Sequence, residues 1–242
     1  MSWIEIELFK NRDIKAKDLF TIKSISKNQA YAFVKEYHYL GEAKFFSVHA
    51  YGLYIGEELV GCATFSNPQG NVALKGWFGL DNQCKDVLEL SRLCLSPPLN
   101  GSNATSYLLS GAIKLLKKEG IRAVITLADS SRHVGSIYQV CNFKYYGLTD
   151  KKSDFYTADG KVNPRGSTSN KQGVWIPRTR KHRYCFLLDK KLKVLYDEVK
   201  PYPKSEDRES NDCCKGLGKV QDNRFNKWYT CPVCTGGISE LK

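Results

Sequence analysis

LADSSRHVGSIYQVCNFKYYG, Leu127 to Gly147, joins a strand end, an acid, a short helix and an aromatic strand. Val124, Ile125, Thr126 and Leu127 form an apolar, partly β-branched run that reads as a buried strand, and Asp129 stands where the run stops. In open α/β sheets ligands bind at the carboxyl ends of strands. That order places Asp129 and Tyr138 around a prospective reaction centre. The competing reading has Asp129 capping the next helix and Tyr138 joining Val134, Ile137 and Cys141 on a core face, and spacing alone favours it.

Outward from this block the chain reads as alternating strands and helices. Trp3 to Phe9 alternates apolar with acidic residues, as a half-buried strand does. Ser26 caps a helix to Tyr37, with Ala30, Phe33, Val34 and Tyr37 at helical spacing. Phe46 to Ile55 and Leu59 to Phe65, joined by Gly56-Glu57-Glu58, predict a hairpin. Val87 to Leu95 predicts a central strand, broken by Pro97, Pro98, Asn100 and Gly101 before a helix from about Asn103 to Lys118. Residues 145–173 are rich in Gly, Ser, Asn, Asp and Lys and read as an exposed insertion; Tyr184 to Leu188 reads as a closing strand. The polar run SEDRESND, after Pro201, reads as a flexible linker. The expected fold class is α/β, a mixed central sheet flanked by helices, with a basic insertion near 145–183. Residues 1–204 form the main domain and 205–242 a linker and small cysteine-containing tail.

A chain of 242 residues, 42% hydrophobic, can bury one good core. No apolar run is long enough to cross a bilayer, and MSWIEIELFK lacks a secretory signal pattern. Five of the nine cysteines, Cys62, Cys84, Cys94, Cys141 and Cys185, lie singly in apolar segments and read as reduced core residues, so a cytoplasmic location is expected. The net charge of +12 is local: residues 144–193 carry 13 basic against 4 acidic side chains. Its densest part, PRTRKHRY, makes Arg178, Arg180, Lys181 and Arg183 candidate phosphate contacts, with Tyr145, Tyr146, Phe155, Tyr156 and Trp175 interleaved to stack on bases. The alternative is a solvated strand edge protected by positive charge.

Three constellations could carry chemistry. NGSNATS feeds a helix whose amino terminus, at Ser102, Asn103, Ala104 and Thr105, could hold an anionic cofactor group; plain capping explains it equally. Asp129 with Tyr138 could serve acyl transfer to a poorly nucleophilic ring amine, the acid orienting or deprotonating the amine and the phenol protonating the leaving group. EYHYLG, Glu36 to Gly41, could set His38 and Tyr39 at a pocket rim, although a lone His among aromatics is more often structural.

The hairpin, LELSRLCL, NATSYLLSGAIKLLKK, AVITLAD and YQVCNFKYYG together resemble the GNAT acyltransferase superfamily. More closely, EYHYLG, LELSRL, the block from Leu127 to Gly147, KHRYCF and PYPK resemble the bacteriophage Mom family, over about Tyr31 to Lys204. The resemblance implies a phage enzyme that places a carbamoylmethyl (acetamido) group on adenine N6 in double-stranded DNA, protecting it from host restriction. It implies catalytic roles among His38, Tyr39, Ser91, Arg92, Asp129 and Tyr138. Strict alternation along the strand puts Glu89 and Ser91 on one face and Leu88, Leu90 and Arg92 on the other, so these residues would not share a pocket. Ordinary GNAT enzymes bind acyl-CoA through a Q/R-x-x-G-x-G/A turn, of which NGSNATS keeps only Gly101. A glycyl group has the atoms of carbamoylmethyl, so an aminoacyl donor such as glycyl-tRNA stands beside acyl-CoA as donor. N6 modification in a duplex implies base flipping into an aromatic pocket, with Tyr39 or Tyr145 as lining. Iron is implied by the family, without an assignable ligand set.

Cys213, Cys214, Cys231 and Cys234 supply four thiols to the tail, and Cys231-x-x-Cys234 has zinc-knuckle spacing; a tail with free thiols is the alternative. Two other functions fit the sequence: a GNAT-type acyltransferase for a protein or small amine, and a noncatalytic DNA-binding protein.

Overall fold

The computed structural model describes residues 3–10, 14–40, 45–68, 71–81, 84–157, 171–196, 198–209, 214, 217–222, 226–235 and 240–241. The chain divides into two compact units. The first comprises residues 1–127, 135–146 and 183–202; the second comprises residues 128–134, 147–182 and 203–242. Most of the insertion expected near 145–183 thus falls in the same unit as residues 203–242.

The fold class is the expected one, α/β, a mixed sheet flanked by helices. β1 (Thr21–Ser24), β2 (His49–Ile55), β3 (Glu58–Ser66), β4 (Val87–Leu95), β5 (Ala123–Asp129), β6 (Lys144–Leu148) and β9 (Lys181–Leu187) form a seven-stranded sheet in the order β1-β2-β3-β4-β5-β9-β6. The first four strands pair antiparallel, whereas β4 and β5 run parallel. That parallel pairing covers only Val87 to Glu89 against Ala123 to Ile125, while both strands continue beyond it. The sheet therefore opens a notch after Glu89 and Ile125.

Helices α3 (Lys27–Tyr37) and α5 (Ala104–Lys118) cover the two faces of this sheet. α3 begins at a capping box between Ser26 and Gln29 and packs Ala30, Phe33 and Val34 against Ala50 and Cys62. α5 turns Leu108, Leu109, Ala112, Ile113 and Leu116 inward. A side chain on Gly111 would meet Ile22 Cδ1 at 2.2 Å, so this glycine lets the helix approach β1. Gly61 lies against Leu95 and Leu108 whereas its neighbour Cys62 faces α3, which fixes opposite faces for the two helices.

Several expectations are corrected. Trp3–Lys10 is a helix, α1, with Ile6 and Phe9 buried at a spacing of three, which shares a face in a helix and not in a strand; the alternation of apolar and acidic residues suggested the strand. α2 (Ala16–Leu19), β1 and α4 (Asn71–Phe78) went unread, and α6 (Ser136–Val140) is a single turn begun by Gly135 at φ 82°. The insertion is a hairpin of β7 (Lys152–Thr157) and β8 (Gly173–Arg178), whose Phe155, Val174 and Ile176 are buried. Of the expected linker, residues 205–209 are described, and they are pinned at Glu209, which bonds the Arg180 backbone N–H and guanidinium and gives its own N–H to Ser130 Oγ; residues 210–212 lie outside the described residues. In the tail β10 (Lys219–Asp222), β11 (Lys227–Thr230) and β12 (Glu240–Leu241) form a ribbon, with α7 (Pro232–Thr235) after β11.

Candidate active site

The first unit concentrates unsatisfied polar atoms on the α3 face of the sheet, near the notch. The cause is a bulge. Register runs Thr64 to Arg92 and then Phe65 to Leu90, so Ser91 is an extra residue in β4. Cross-strand partners share a face; Glu89 opposite Ser66 and Arg92 opposite Thr64 therefore project to one side. This corrects the strict alternation expected from sequence, which separated Glu89 from Arg92. The Ser91 hydroxyl bonds that of Ser66 at 2.8 Å, joining the same group.

Arg92 donates from one terminal nitrogen to the Ser91 carbonyl at 2.8 Å and lies over the Phe45 ring. Its Nε is buried with no hydrogen-bond partner among the described residues, and so is the Thr64 hydroxyl opposite it. Burial pushes the arginine pKa down, with the neighbouring Tyr39 and Glu89 opposing that shift. Tyr39, 56% exposed, also interacts with Tyr138, so Tyr39 lies near both residues. Tyr138 is enclosed by Phe143 and Tyr184, and burial raises its pKa against a hydrogen bond with Thr126. Its proton therefore stays on at neutral pH. His38 is the C-cap of α3; its Nδ1 accepts the Leu40 N–H at 3.0 Å and its ring stacks on Tyr39.

A cleft of about 520 Å³ opens at the start of α5, lined by Phe9, Lys10, Asn100, Gly101, Ser102, Asn103, Ser106, Ile137 and Val140. Of the four expected cofactor residues, Ser102 and Asn103 line it. Ala104 is buried with its N–H given to Ser102 Oγ, and Thr105 is outside the lining. Lys10 and Ser106 were not anticipated, since no motif in the sequence links α1 to α5.

Asp129 belongs to the second unit. Its Oδ1 accepts from Ser131 N–H at 3.1 Å, Ser131 Oγ at 2.8 Å and Thr179 Oγ1 at 2.8 Å. Burial pushes this carboxyl up, but the three bonds and the Lys181 charge outweigh it and hold the pKa below the usual carboxylate value. Asp129 is thus ionised and a weak base. Its Oδ2 has no hydrogen-bond partner among the described residues, leaving an acceptor suited to an amino group. Thr179, fifty residues away, was not legible as its partner.

The basic stretch is less free than its composition implied. Arg180 pairs with Glu209 and Arg178 approaches Asp154 at 3.6 Å, both in the second unit. In the first unit Arg183 lies over the Tyr196 ring at 4.3 Å. Lys181 gives its backbone N–H to Thr149. Tyr145, Tyr146 and Phe155 are buried by the apolar packing of their strands, which corrects their reading as base-stacking residues and removes Tyr145 from a flipped-base pocket; Trp175 is 51% exposed.

Among the described residues, the thiols and carboxylates that converge as a metal requires are Cys214, Cys231 and Cys234. Cys213 lies outside the described residues. The iron expectation finds no ligand set in the first unit's described residues. No helix is long and apolar enough to cross a membrane.

A search of curated proteins finds no match. Solved structures give distant likenesses: the ribosomal-protein-S18-alanine N-acetyltransferase from Escherichia coli (14% identity, 71% of this chain and 95% of that one, TM-score 0.44) and a GNAT family acetyltransferase from Elizabethkingia anophelis with acetyl-CoA bound (15%, 70% and 99%, 0.43). The family model described as "Mom protein family" matches residues 19–204, which span the bulge with Arg92, the Asp129 block and Tyr138. With most of its length and its candidate catalytic residues inside that match, the chain belongs to the Mom protein family.

Proposed function

We propose that this chain is a transferase that modifies adenine N6 in double-stranded phage DNA, attaching a glycyl-derived carbamoylmethyl group that blocks restriction. The observation that carries the reading is the pair of buried, unsatisfied atoms, Arg92 Nε and Thr64 Oγ1, on the sheet face beside the notch. Buried polar groups are nearly always hydrogen-bonded, so an orphaned pair on one face suits a polar ligand.

The adenine amino group is weakly nucleophilic because its lone pair is delocalised into the ring. N6 attacks the acyl carbonyl carbon, and Arg92 and Thr64 donate to the carbonyl oxygen as it gains charge. The C–O bond to a tRNA ribose, or the C–S bond to a CoA thiol, breaks as the tetrahedral centre collapses. Tyr138 gives its proton to the departing atom and regains one from N6 through solvent, so the protons balance. The glycyl amide so formed, C6–NH–CO–CH2–NH2, becomes the carbamoylmethyl product by rearrangement: its free amine attacks ring carbon C6, the original C6–N6 bond breaks, and a proton passes from the attacking amine to the departing amide nitrogen, giving the isomer C6–NH–CH2–CO–NH2. The cleft at α5, with Lys10 and unpaired helix N–H groups, is suited to a phosphate of either donor. The iron implied by the family has no step here.

DNA would be held by exposed groups of the second unit, among them Lys152, Arg178 and Trp175. Neutralising Lys152 and Arg178 together is expected to weaken binding to all sequences and reduce its salt dependence. The deciding experiment is mass spectrometry of nucleosides from DNA of cells expressing the chain. A heavier deoxyadenosine is expected, carrying label from isotopic glycine. Tyr138→Phe should lower its yield by about 10² to 10⁴ fold, and Asp129→Asn should lower it without unfolding the protein. Unmodified DNA from cells containing the folded chain would overturn the reading and favour a protein or small-amine acceptor.

A further inference from the structure

The tail lies outside the residues matched to the family, and its chemistry is independent of the proposed reaction. Cys214, Cys231 and Cys234 come from two tight turns. In one, Leu217 N–H bonds the Cys214 carbonyl at 3.1 Å; in the other, Cys234 N–H bonds the Cys231 carbonyl at 3.1 Å. The turns are tied by Cys231 N–H to the Gly218 carbonyl at 2.8 Å. All three sulfurs lie within 4.8 Å of one another, and those of Cys214 and Cys234 are 3.4 Å apart. A disulfide needs about 2.05 Å. Two thiolates sharing a tetrahedral zinc at about 2.3 Å each stand about 3.8 Å apart. The observed spacing fits the second arrangement.

Cys214 and Cys231 are buried, in a small cluster with Val174, Ile176 and Tyr229. Val174 and Ile176 come from the inserted hairpin β7–β8, so this cluster ties the hairpin to the tail ribbon. A polar link adds to it: Gly173 N–H bonds the buried carboxylate of Asp222 at 3.0 Å. Five buried residues are a meagre core for a ribbon of such short strands, and small modules of this kind ordinarily depend on a metal or disulfide.

We propose that Cys214, Cys231 and Cys234 bind one structural Zn²⁺ that holds the inserted hairpin and the carboxyl-terminal ribbon together. Binding converts three S–H groups to thiolates and releases three protons, with no change of oxidation state. The three thiolates occupy three positions of the tetrahedron and a fourth donor closes it. Sulfur ligands with tetrahedral spacing select zinc over the oxygen-seeking divalent cations.

The test uses the full chain, purified under reducing conditions from zinc-supplemented cells. Elemental analysis should find one zinc per chain, retained through dialysis and lost in Cys231→Ser and Cys234→Ser. Replacement by Co²⁺ should give visible ligand-field bands and near-ultraviolet thiolate charge transfer, a readout on the native sequence that does not require a variant to fold. Chelation should raise hydrogen exchange in residues 152–157 and 173–178 while leaving 60–65 protected. Native protein without zinc, zinc retained by both variants, iron in zinc's place, or exchange unaltered by chelation would each overturn the proposal. DNA modification is not a readout, so failure here leaves the catalytic reading standing.

Discussion

The two compact units are held together by different physics. The first buries whole side chains from both faces of one sheet: Leu53, Val60, Cys62, Phe65, Leu108, Leu109 and Leu116 have essentially no exposed surface. Its stability comes mainly from apolar burial, at roughly 25 cal/mol per Å². The second has few such residues and many specific polar bonds. Asp129 gathers three donors, Glu209 holds both the backbone and the guanidinium of Arg180, and Asp222 receives Gly173. Burial tolerates local change, whereas a polar network depends on every partner. A fold built this way can keep its sheet scaffold constant while an inserted module varies.

The comparison can be broken most severely in the first unit. Phe65→Ala removes a fully buried ring from the centre of the sheet and should cost about 3–5 kcal/mol. Denaturant unfolding should show the free energy of the sheet's transition falling by that amount and its midpoint moving down in proportion.

Gly173→Ala tests the second unit. An added Cβ would sit 2.1 Å from the Tyr156 carbonyl oxygen, a backbone atom that cannot swing aside. A loss of about 1–3 kcal/mol is expected, confined to the hairpin. Hydrogen exchange should rise in residues 152–157 and stay unchanged in β3. A loss spread evenly over both would mean that the units unfold as one.

Acid should separate the units next. Burial lowers the pKa of His133, with Asp129 opposing the shift and Arg132 adding to it; burial lowers that of His182 too, with Asp207 and Glu209 opposing and His133 and Arg180 adding. The unfolded chain takes up these protons near pH 6.5, whereas the folded second unit resists them. Its stability is therefore complete above about pH 6.5 and declines as the pH falls toward the folded-state values. Asp129, with its lowered pKa, adds a second loss below about pH 4, as its carboxylate protonates. Thermal melts between pH 7.5 and 5 should show the second unit weakening first, and His133→Gln should reduce that dependence.

The smallest effect concerns the α3 cap. Ser26→Ala removes the hydroxyl that accepts the Gln29 N–H at 3.2 Å and should cost about 1 kcal/mol. Calorimetry should register it in the first unit alone.

Much of the first unit was legible because its signals are local. Ser26 with Gln29 announced α3, the apolar spacing in 104–118 announced α5, and Val87 to Leu95 matched β4 residue for residue. Trp3 to Lys10 misled because Ile4, Ile6 and Leu8 alternate with Glu5 and Glu7 as in a strand, whereas Ile6 and Phe9, three apart, fit only the helical period. The insertion misled for a different reason. Gly, Ser and Lys dominate its composition, and the four residues that bury it, Phe155, Val174, Ile176 and Tyr229, are scattered over seventy-five positions. The basic stretch was read correctly as charge and incompletely as surface, since Glu209 and Asp154, the partners of Arg180 and Arg178, lie far away along the chain.

Sequence by itself determined α3, the β2–β3 hairpin, β4, α5, β5 and the family, and it nominated the candidate catalytic residues, because periodicity, capping and motif are properties of neighbours in the chain. Tertiary structure alone decided which of them share a face. The Ser91 bulge reverses strand alternation and aligns Arg92 with Glu89 and Thr64, and a bulge exists only in the pairing of two strands. Likewise Thr179 reaches Asp129, and Cys214 meets Cys231 and Cys234, through folds of the backbone that no local pattern encodes. Hydrogen bonds and metal sites act over a few ångströms of space, and separation along the chain does not predict separation in space.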